Sequence, residues 1–149
     1  MKLADTPPTH RLPEGEIRSI ETLYKAFNER NPDLLDQACA PDWEDIPMGP
    51  GQAPGPDGLK QLLPGFFQAL PDLQIIIHEI IGIPGRAGVR ASIVGTHRGE
   101  ILGIKPTGKS VEVSLHEFHH LRDGRIIRTW HLEDWFGLLQ QLNAWPPGK

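Results

Sequence analysis

The sequence predicts an α+β domain in which about three N-terminal helices pack on a curved antiparallel sheet. Apolar residues recur every three or four positions in the first half of the chain, which is the period of an amphipathic helix. Beyond position 71 they give way to runs rich in isoleucine and valine, which are typical of strands. Short connections separate these runs, so the strands are expected to pair as hairpins.

Three helices are predicted before the sheet, over residues 16–30, 32–40 and 57–69. The first has one apolar stripe, and the second begins at Asn31-Pro32, where asparagine can cap and proline suits the first turn. In the third, Pro64 is expected to kink or split the helix. The segment 42–58 between the last two contains four prolines and four glycines. It is predicted to be a long loop, of the kind that often forms a lid or rim.

Four strands are predicted over residues 73–83, 89–97, 111–121 and 126–134. Asp123-Gly124 is a strong turn signal between the last two. Residues 98–108 form a turn-rich connection between the second and third strands. The tail, 135–145, is expected to form one or two helical turns.

The composition indicates one domain, over residues 15–145, preceded by a mobile arm over 1–14. The 149 residues carry a net charge of -4, and the basic residues form no run, so a nucleic-acid partner is not expected. No apolar run reaches the ~18 residues of a membrane span. Cys39 is the single cysteine, so no disulfide can form within the chain and a cytoplasmic location is expected. Because its neighbours in the sequence are apolar, Cys39 is interpreted as a core residue and not as a nucleophile.

Polar residues interrupt the alternation of the last two strands. Glu117 and His119 follow three apolar residues on the face expected to be covered, and His131 and Glu133 share a face of the next strand. A two-residue turn would put Glu117 opposite Trp130. A three-residue loop would shift the pairing by one residue and gather these four polar groups on one wall, and we favour this second register.

A carboxylate and an imidazole at an apolar cavity are suited to proton transfer, because burial and neighbouring charges shift their pKa values. The simpler alternative is that these side chains lie at the rim or on the outer face and are solvated. His116 and His120 could join His131 as metal ligands in the first register, but no metal site is predicted. Adjacent residues of a strand point to opposite faces, so His119 and His120 cannot both bind one ion.

The chain resembles the SnoaL-like polyketide cyclases, also called ester cyclases, of the nuclear transport factor 2-like superfamily. The resemblance covers about residues 16–143 and rests on short segments in a fixed order. These are Leu23-Tyr24-Lys25-Ala26-Phe27-Asn28, Gly55-Pro56-Asp57-Gly58-Leu59, Ala69-Leu70-Pro71-Asp72-Leu73, Gly95-Thr96-His97-Arg98-Gly99-Glu100, Gly103-Ile104-Lys105-Pro106-Thr107-Gly108-Lys109, Asp123-Gly124-Arg125-Ile126, Trp130, Asp134 and Leu138-Leu139-Gln140-Gln141-Leu142.

The resemblance implies a cone of helices packed into the bent sheet around a pocket for a small organic molecule. It also implies ring closure by intramolecular aldol addition without a metal or organic cofactor. Dimerisation through the outer sheet face is common in the family, and Phe118 and Trp130 could serve that face in the second register.

The family's catalytic pair maps onto Glu117 and His131, with the acid and the imidazole exchanged, so their roles stay open. Related ketosteroid isomerases have acids at positions matching Glu117 and Asp45 and a tyrosine near Tyr24. We therefore expect Glu117, His131 and Asp45 to be catalytic. The expected substrate contacts are Tyr24, Trp43, His119, Phe67, Trp130 and Asp134.

Three functions remain open at this stage. The first is an acid–base enzyme of the cyclase or isomerase type acting on a carbonyl compound. The second is a binding module whose cavity holds a small hydrophobic ligand without chemistry. The third is an association domain with its pocket filled by Phe66, Phe67 or Trp135. The superfamily hosts more than one of these, so the fold does not decide.

Overall fold

The computed structural model describes residues 11–148, which form four α-helices and one five-stranded sheet. The chain begins with α1 (Glu14–Asn28), a 3₁₀ turn (Pro32–Leu34) and α2 (Leu35–Ala38). It continues through β1 (Cys39–Ile46), α3 (Pro56–Ala69), β2 (Gln74–Ile83), β3 (Arg86–Thr96), β4 (Ser110–Arg122), β5 (Arg125–Glu133) and α4 (Trp135–Gln141). The predicted α+β class is confirmed, whereas the predicted order of three helices followed by four strands is wrong, because β1 precedes α3.

The helices form where apolar spacing predicts them. Ile20, Leu23 and Tyr24 of α1 are buried on one stripe against the sheet. The helix α3 runs through Pro64 without a break, so the expectation of a split there is wrong. Pro64 lies on the exposed side of the helix, where water can satisfy the backbone carbonyl that proline leaves without a donor.

The sheet is mixed, which corrects the prediction of a purely antiparallel one. Its strand order is β1-β5-β4-β3-β2, and β1 runs parallel to β5 whereas the other neighbours are antiparallel. The strand β1 also replaces part of the loop predicted over 42–58, which is reduced to the residues between β1 and α3. The sheet remains open, with β1 and β2 at its edges.

The pairing of β4 with β5 follows neither predicted register. The Asp-Gly turn has two residues and places Arg122 opposite Arg125. Ile127 is then left unpaired in a bulge, which shifts the register by one residue and places Glu117 opposite His131. A bulge of this kind leaves no clear sequence signal, because Ile127 fits an alternating strand equally well.

The core lies between the helices and the inner face of the sheet. It includes Leu35, Leu63, Ile126 and Leu138, each no more than 1% exposed. Cys39 is free and belongs to this core, as predicted. The outer face of the sheet has no covering layer in the described chain, and Phe118 and Leu132 are exposed there.

The predicted mobile arm falls mostly on residues 1–10, which lie outside the described residues. Its last part belongs to the domain, because Leu12 is buried in the core and the Arg11 N–H donates to the Gly82 carbonyl at 2.9 Å. Within residues 11–148, no helix has the length and apolarity that crossing a membrane requires.

Candidate active site

A cavity of about 190 Å³ lies between the inner face of the sheet and the helices. Most of its lining is apolar. Among the side chains that contribute are Phe27 from α1, Leu62 and Phe66 from α3, Val113 and Leu115 from β4, and Leu138 from α4. Phe66 and Trp135 line the cavity without filling it, so the interpretation as an association domain with a filled pocket loses its main support.

The polar lining gathers on β1, β4 and β5 and on the loop that follows β1. Glu117 and His131 are cross-strand partners, and Glu133 follows His131 on the same inner face, opposite Leu115. Asp45 reaches this group from β1, which lies beside β5. The parallel pairing of two distant segments therefore assembles three carboxyl groups and one imidazole at one end of an apolar cavity.

His131 is held by acceptors on both ring nitrogens. Nδ1 lies 2.8 Å from Glu133 Oε1, and Nε2 lies 2.7 Å from the Pro47 carbonyl oxygen and 3.5 Å from Asp45 Oδ1. A backbone carbonyl can only accept a hydrogen bond, and the same is true of an ionised carboxylate. Both ring nitrogens therefore carry protons, and the ring is an imidazolium. The hydrogen bond to Glu133 is the main reason that the pKa of His131 is raised to about 9, with the negative charges of Glu133 and Asp45 adding to it.

Asp45 is fixed by Gln52 from the loop after β1. Gln52 Nε2 donates to Asp45 Oδ2 at 2.8 Å, and Gln52 Oε1 accepts from the Gly49 backbone N–H at 2.8 Å. Burial raises the pKa of Asp45, whereas the bond from Gln52 and the charge of His131 act in the opposite direction. The loop thus positions an acid beside the imidazolium.

Glu117 lies on β4 at the cavity wall, opposite His131. Burial raises its pKa to about 8, although a hydrogen bond from Tyr24 and the charge of His131 oppose the shift. A carboxyl group with such a pKa changes its charge near neutral pH, which is the property expected of a catalytic base or acid.

Behind Glu117, four side chains form a buried chain of hydrogen bonds. Trp43 Nε1 donates to Thr129 Oγ1 at 3.0 Å, and Thr129 Oγ1 lies 2.8 Å from His119 Nδ1. His119 Nε2 lies 3.0 Å from the Tyr24 hydroxyl. Tyr24 also interacts with Glu117 and lowers the pKa of that carboxyl group. Burial lowers the pKa of His119 to about 3, so its ring is neutral.

The structure brings Glu117, His131, Asp45 and Trp43 together at the cavity wall. Tyr24 and His119, two of the expected substrate contacts, do not line the cavity and lie behind Glu117.

Three more of the expected substrate contacts also lie outside the cavity lining. Phe67 points away from it, with the Arg30 guanidinium 5.3 Å from its ring centre. Trp130 faces the outer side of the sheet, where its ring packs edge-on against the ring of His120. Asp134 caps α4 by accepting from the Gly137 N–H.

Sequence reasoning did not identify Gln52 or Thr129. Gln52 lies in an irregular loop and gives no signal before its partner Asp45 is placed. Thr129 could have been found, because it lies two residues before His131 and so shares the inner face of β5. Within residues 11–148, no three or more His, Cys, Asp or Glu side chains form a group that could hold a metal ion.

Comparison with known proteins is consistent across sequence and structure. Residues 18–142 match the family described as SnoaL-like polyketide cyclase. TsrD from Streptomyces laurentii is 25% identical with a TM-score of 0.81, over 90% of this chain and 99% of that one. IdmH, a candidate polyketide cyclase from Streptomyces antibioticus, is 26% identical with a TM-score of 0.76, over 86% and 98%.

A further structure supports the fold alone. A candidate polyketide cyclase from Bacillus cereus is 22% identical with a TM-score of 0.76, over 96% of this chain and 97% of that one. None of the curated proteins matches the chain.

Proposed function

Because the chain belongs to the SnoaL-like polyketide cyclase family, we propose that it is an acid–base enzyme that enolises a small carbonyl compound. The observation that carries the proposal is the pairing of Glu117 with His131 at the polar end of an otherwise apolar cavity. Cyclisation by intramolecular aldol addition and isomerisation both begin with this enolisation.

The cavity favours a compact apolar substrate. Its volume of about 190 Å³ suits a molecule of one or two rings, and its walls offer few polar groups besides the acids and His131. A carbonyl group would find positive charge at the end of the cavity where His131 lies. The substrate is therefore expected to enter with its carbonyl toward β5 and its apolar body beneath α1 and α3.

Glu117 is the proposed base. Its pKa of about 8 makes its carboxylate basic enough to remove a proton from the carbon next to a carbonyl. His131 suits this role less well, because both of its nitrogens already carry protons.

His131 is proposed to stabilise the enolate. Removing the α-proton transfers negative charge to the carbonyl oxygen, and an imidazolium at a largely apolar site lowers the energy of that charge. Glu133 and Asp45 hold the ring charged and oriented. The enolate carbon then attacks a second carbonyl of the same molecule to close a ring, and the alkoxide that forms takes the proton from Glu117. In an isomerisation the enolate instead takes that proton from Glu117 at another carbon.

The proposal is tested with 2-tetralone, a bicyclic ketone whose α-hydrogens exchange with solvent. ¹H NMR in D₂O near neutral pH measures the exchange rate with and without the protein. We expect the wild type to accelerate the exchange and Glu117→Gln to lower the acceleration about 100-fold or more, because a positioned base contributes that much. Glu112→Gln is the matched control, since it makes the same change at an exposed position of β4.

The alternative function is a binding module for a small hydrophobic ligand. The apolar lining of the cavity is the observation that favours it. If 2-tetralone shifts the NMR signals of the lining residues, and the wild type leaves its exchange rate at the level of buffer, the enzymatic proposal is contradicted and the binding module is supported.

We also propose that the outer sheet face joins two copies of the chain. Phe118 is 62% exposed and Leu132 is 74% exposed on this face, and Ile81 lies near Phe118 around Gly88. Contiguous exposed apolar side chains of this kind commonly mark an interface.

A further inference from the structure

The buried hydrogen-bond chain from Trp43 to Tyr24 leads to Glu117. The donors and acceptors of its members restrict which atoms can carry the protons of the chain. Trp43, Tyr24, His119 and Thr129 are each no more than 2% exposed, so water does not supply missing partners. Every donor and acceptor must therefore be matched within the protein.

The first proton arrangement satisfies all the groups. The Trp43 indole can only donate, so Thr129 Oγ1 accepts from it and donates its own proton to His119 Nδ1. The neutral His119 ring then carries its proton on Nε2 and donates it to the Tyr24 oxygen. The Tyr24 hydroxyl proton is left to point at Glu117, whose carboxyl group accepts it more strongly when it is ionised.

The second arrangement reverses every bond beyond Trp43 and leaves one group unsatisfied. His119 would donate from Nδ1 to Thr129, and Tyr24 would donate to His119 Nε2. Thr129 Oγ1 would then accept two bonds, and its own buried hydroxyl proton would have no acceptor, because within residues 11–148 the hydrogen-bond partners of that oxygen are Trp43 and His119. An unsatisfied buried donor costs the free energy of its desolvation, so the first arrangement is favoured.

We infer that Trp43, Thr129 and His119 are positioning residues that direct the Tyr24 hydroxyl proton at Glu117 and so stabilise its carboxylate. In this role the three residues act on Glu117 through Tyr24 and not directly on the substrate. The inference deepens the proposed function and rests on it, because it explains how a base enclosed by apolar walls is kept available near neutral pH.

Other groups that face Glu117 do not replace the contribution of the Tyr24 hydroxyl. His131 from β5 also favours the carboxylate by its positive charge, whereas Glu133 and Asp45 oppose it. The sulfur of Cys39 lies close enough to interact with Glu117 but holds its proton, because burial raises its pKa. The helices α3 and α4 line the cavity with apolar side chains alone. Tyr24 is thus the neutral donor to this carboxyl group, and the chain behind it sets its direction.

The test is a direct titration of Glu117 in the protein without substrate. ¹³C NMR of protein labelled at the glutamate side-chain carboxyl carbons gives the pKa, and Glu117→Gln assigns the signal. We expect Thr129→Val to raise the pKa of Glu117 by about one pH unit, the effect of weakening one buried hydrogen bond. Thr129→Ser keeps the hydroxyl and is expected to retain the wild-type value. Thr22→Val on the surface of α1 controls for the substitution itself.

A second background separates the chain from a general change in packing. In Tyr24→Phe the donor to Glu117 is gone, so Thr129→Val is expected to add no further shift there. An unchanged pKa in Thr129→Val, or an equal shift in the Tyr24→Phe background, would overturn the inference. Because no turnover is measured, this result is independent of whether 2-tetralone exchange succeeds.

The wild-type protein provides a measurement that needs no variant. Long-range ¹H–¹⁵N correlation spectra of histidine rings distinguish the two neutral tautomers. We expect His119 to be protonated on Nε2 at a pH where Glu117 is ionised. Protonation on Nδ1 under those conditions would overturn the inference even if Thr129→Val fails to fold.

Discussion

At the scale of single residues, the site depends on the different environments of two neighbouring groups, Glu117 and His131. Glu117 is enclosed by apolar walls, and burial raises its pKa from 4.5 to about 8. His131 across from it is surrounded by acceptors, which raise its pKa from 6.5 to about 9. Both groups bind protons more tightly in the folded protein than in the unfolded chain. Their stabilising effect is therefore complete at low pH and is lost as the pH rises through these folded-state values.

Glu117→Gln is expected to reduce this pH dependence. The free energy of unfolding of the wild type should fall between pH 5 and pH 8, because keeping Glu117 neutral in the folded protein becomes more costly as the pH rises. Glutamine does not titrate, so the variant lacks this contribution. The advantage of the variant over the wild type is expected to grow by about 1 kcal/mol or more across that range. Urea unfolding at the two pH values measures it, with Glu112→Gln as the control. Parallel pH profiles for wild type and variant would contradict the environment assigned to Glu117.

At the scale of elements, the sequence predicts what local patterns determine and misses what distant partners determine. Alternation and the Asp-Gly turn predict β2 to β5, and the apolar stripe predicts α1. The strand β1 carries Pro41 and three acids and has an irregular burial pattern, so it looks like a loop until β5 is placed beside it. The bulge at Ile127 is hidden for the same reason, and with it the pairing of Glu117 with His131.

The cap of α4 gives a test at this scale. Asp134 Oδ1 accepts from the Gly137 N–H at 2.9 Å and so begins the helix that places Leu138 in the cavity wall. We expect Asp134→Ala to lower stability by about 1 kcal/mol, or about 3 °C in Tm, without abolishing 2-tetralone exchange. Asp134→Asn also accepts this bond and should stay close to wild type in calorimetry. An equal loss in both variants would mean that the charge of Asp134, and not its capping bond, supports the helix.

At the scale of the whole molecule, the two faces of the sheet have different tasks. The inner face forms the cavity floor, and the outer face presents Phe118 and Leu132 to solvent. If two copies pair through this face, Phe118→Glu should convert a dimer to a monomer in sedimentation velocity at micromolar concentration. Leu102→Glu, at an exposed leucine away from the sheet, should leave the dimer intact. A monomeric wild type would contradict the proposed pairing.

The parallel contact between β1 and β5 also governs when the site can form during synthesis. Cys39–Ile46 leaves the ribosome long before Arg125–Glu133, and translation at about 5–20 residues per second makes that interval several seconds. During this interval the imidazole of His131 is not yet beside Asp45, and the Trp43 indole lacks the Thr129 hydroxyl to which it donates. A nascent chain halted before β5 would therefore lack the pairing of Glu117 with His131 and the contact of Asp45 with that imidazole, so the proposed acid–base site can form only after β5 has been synthesised.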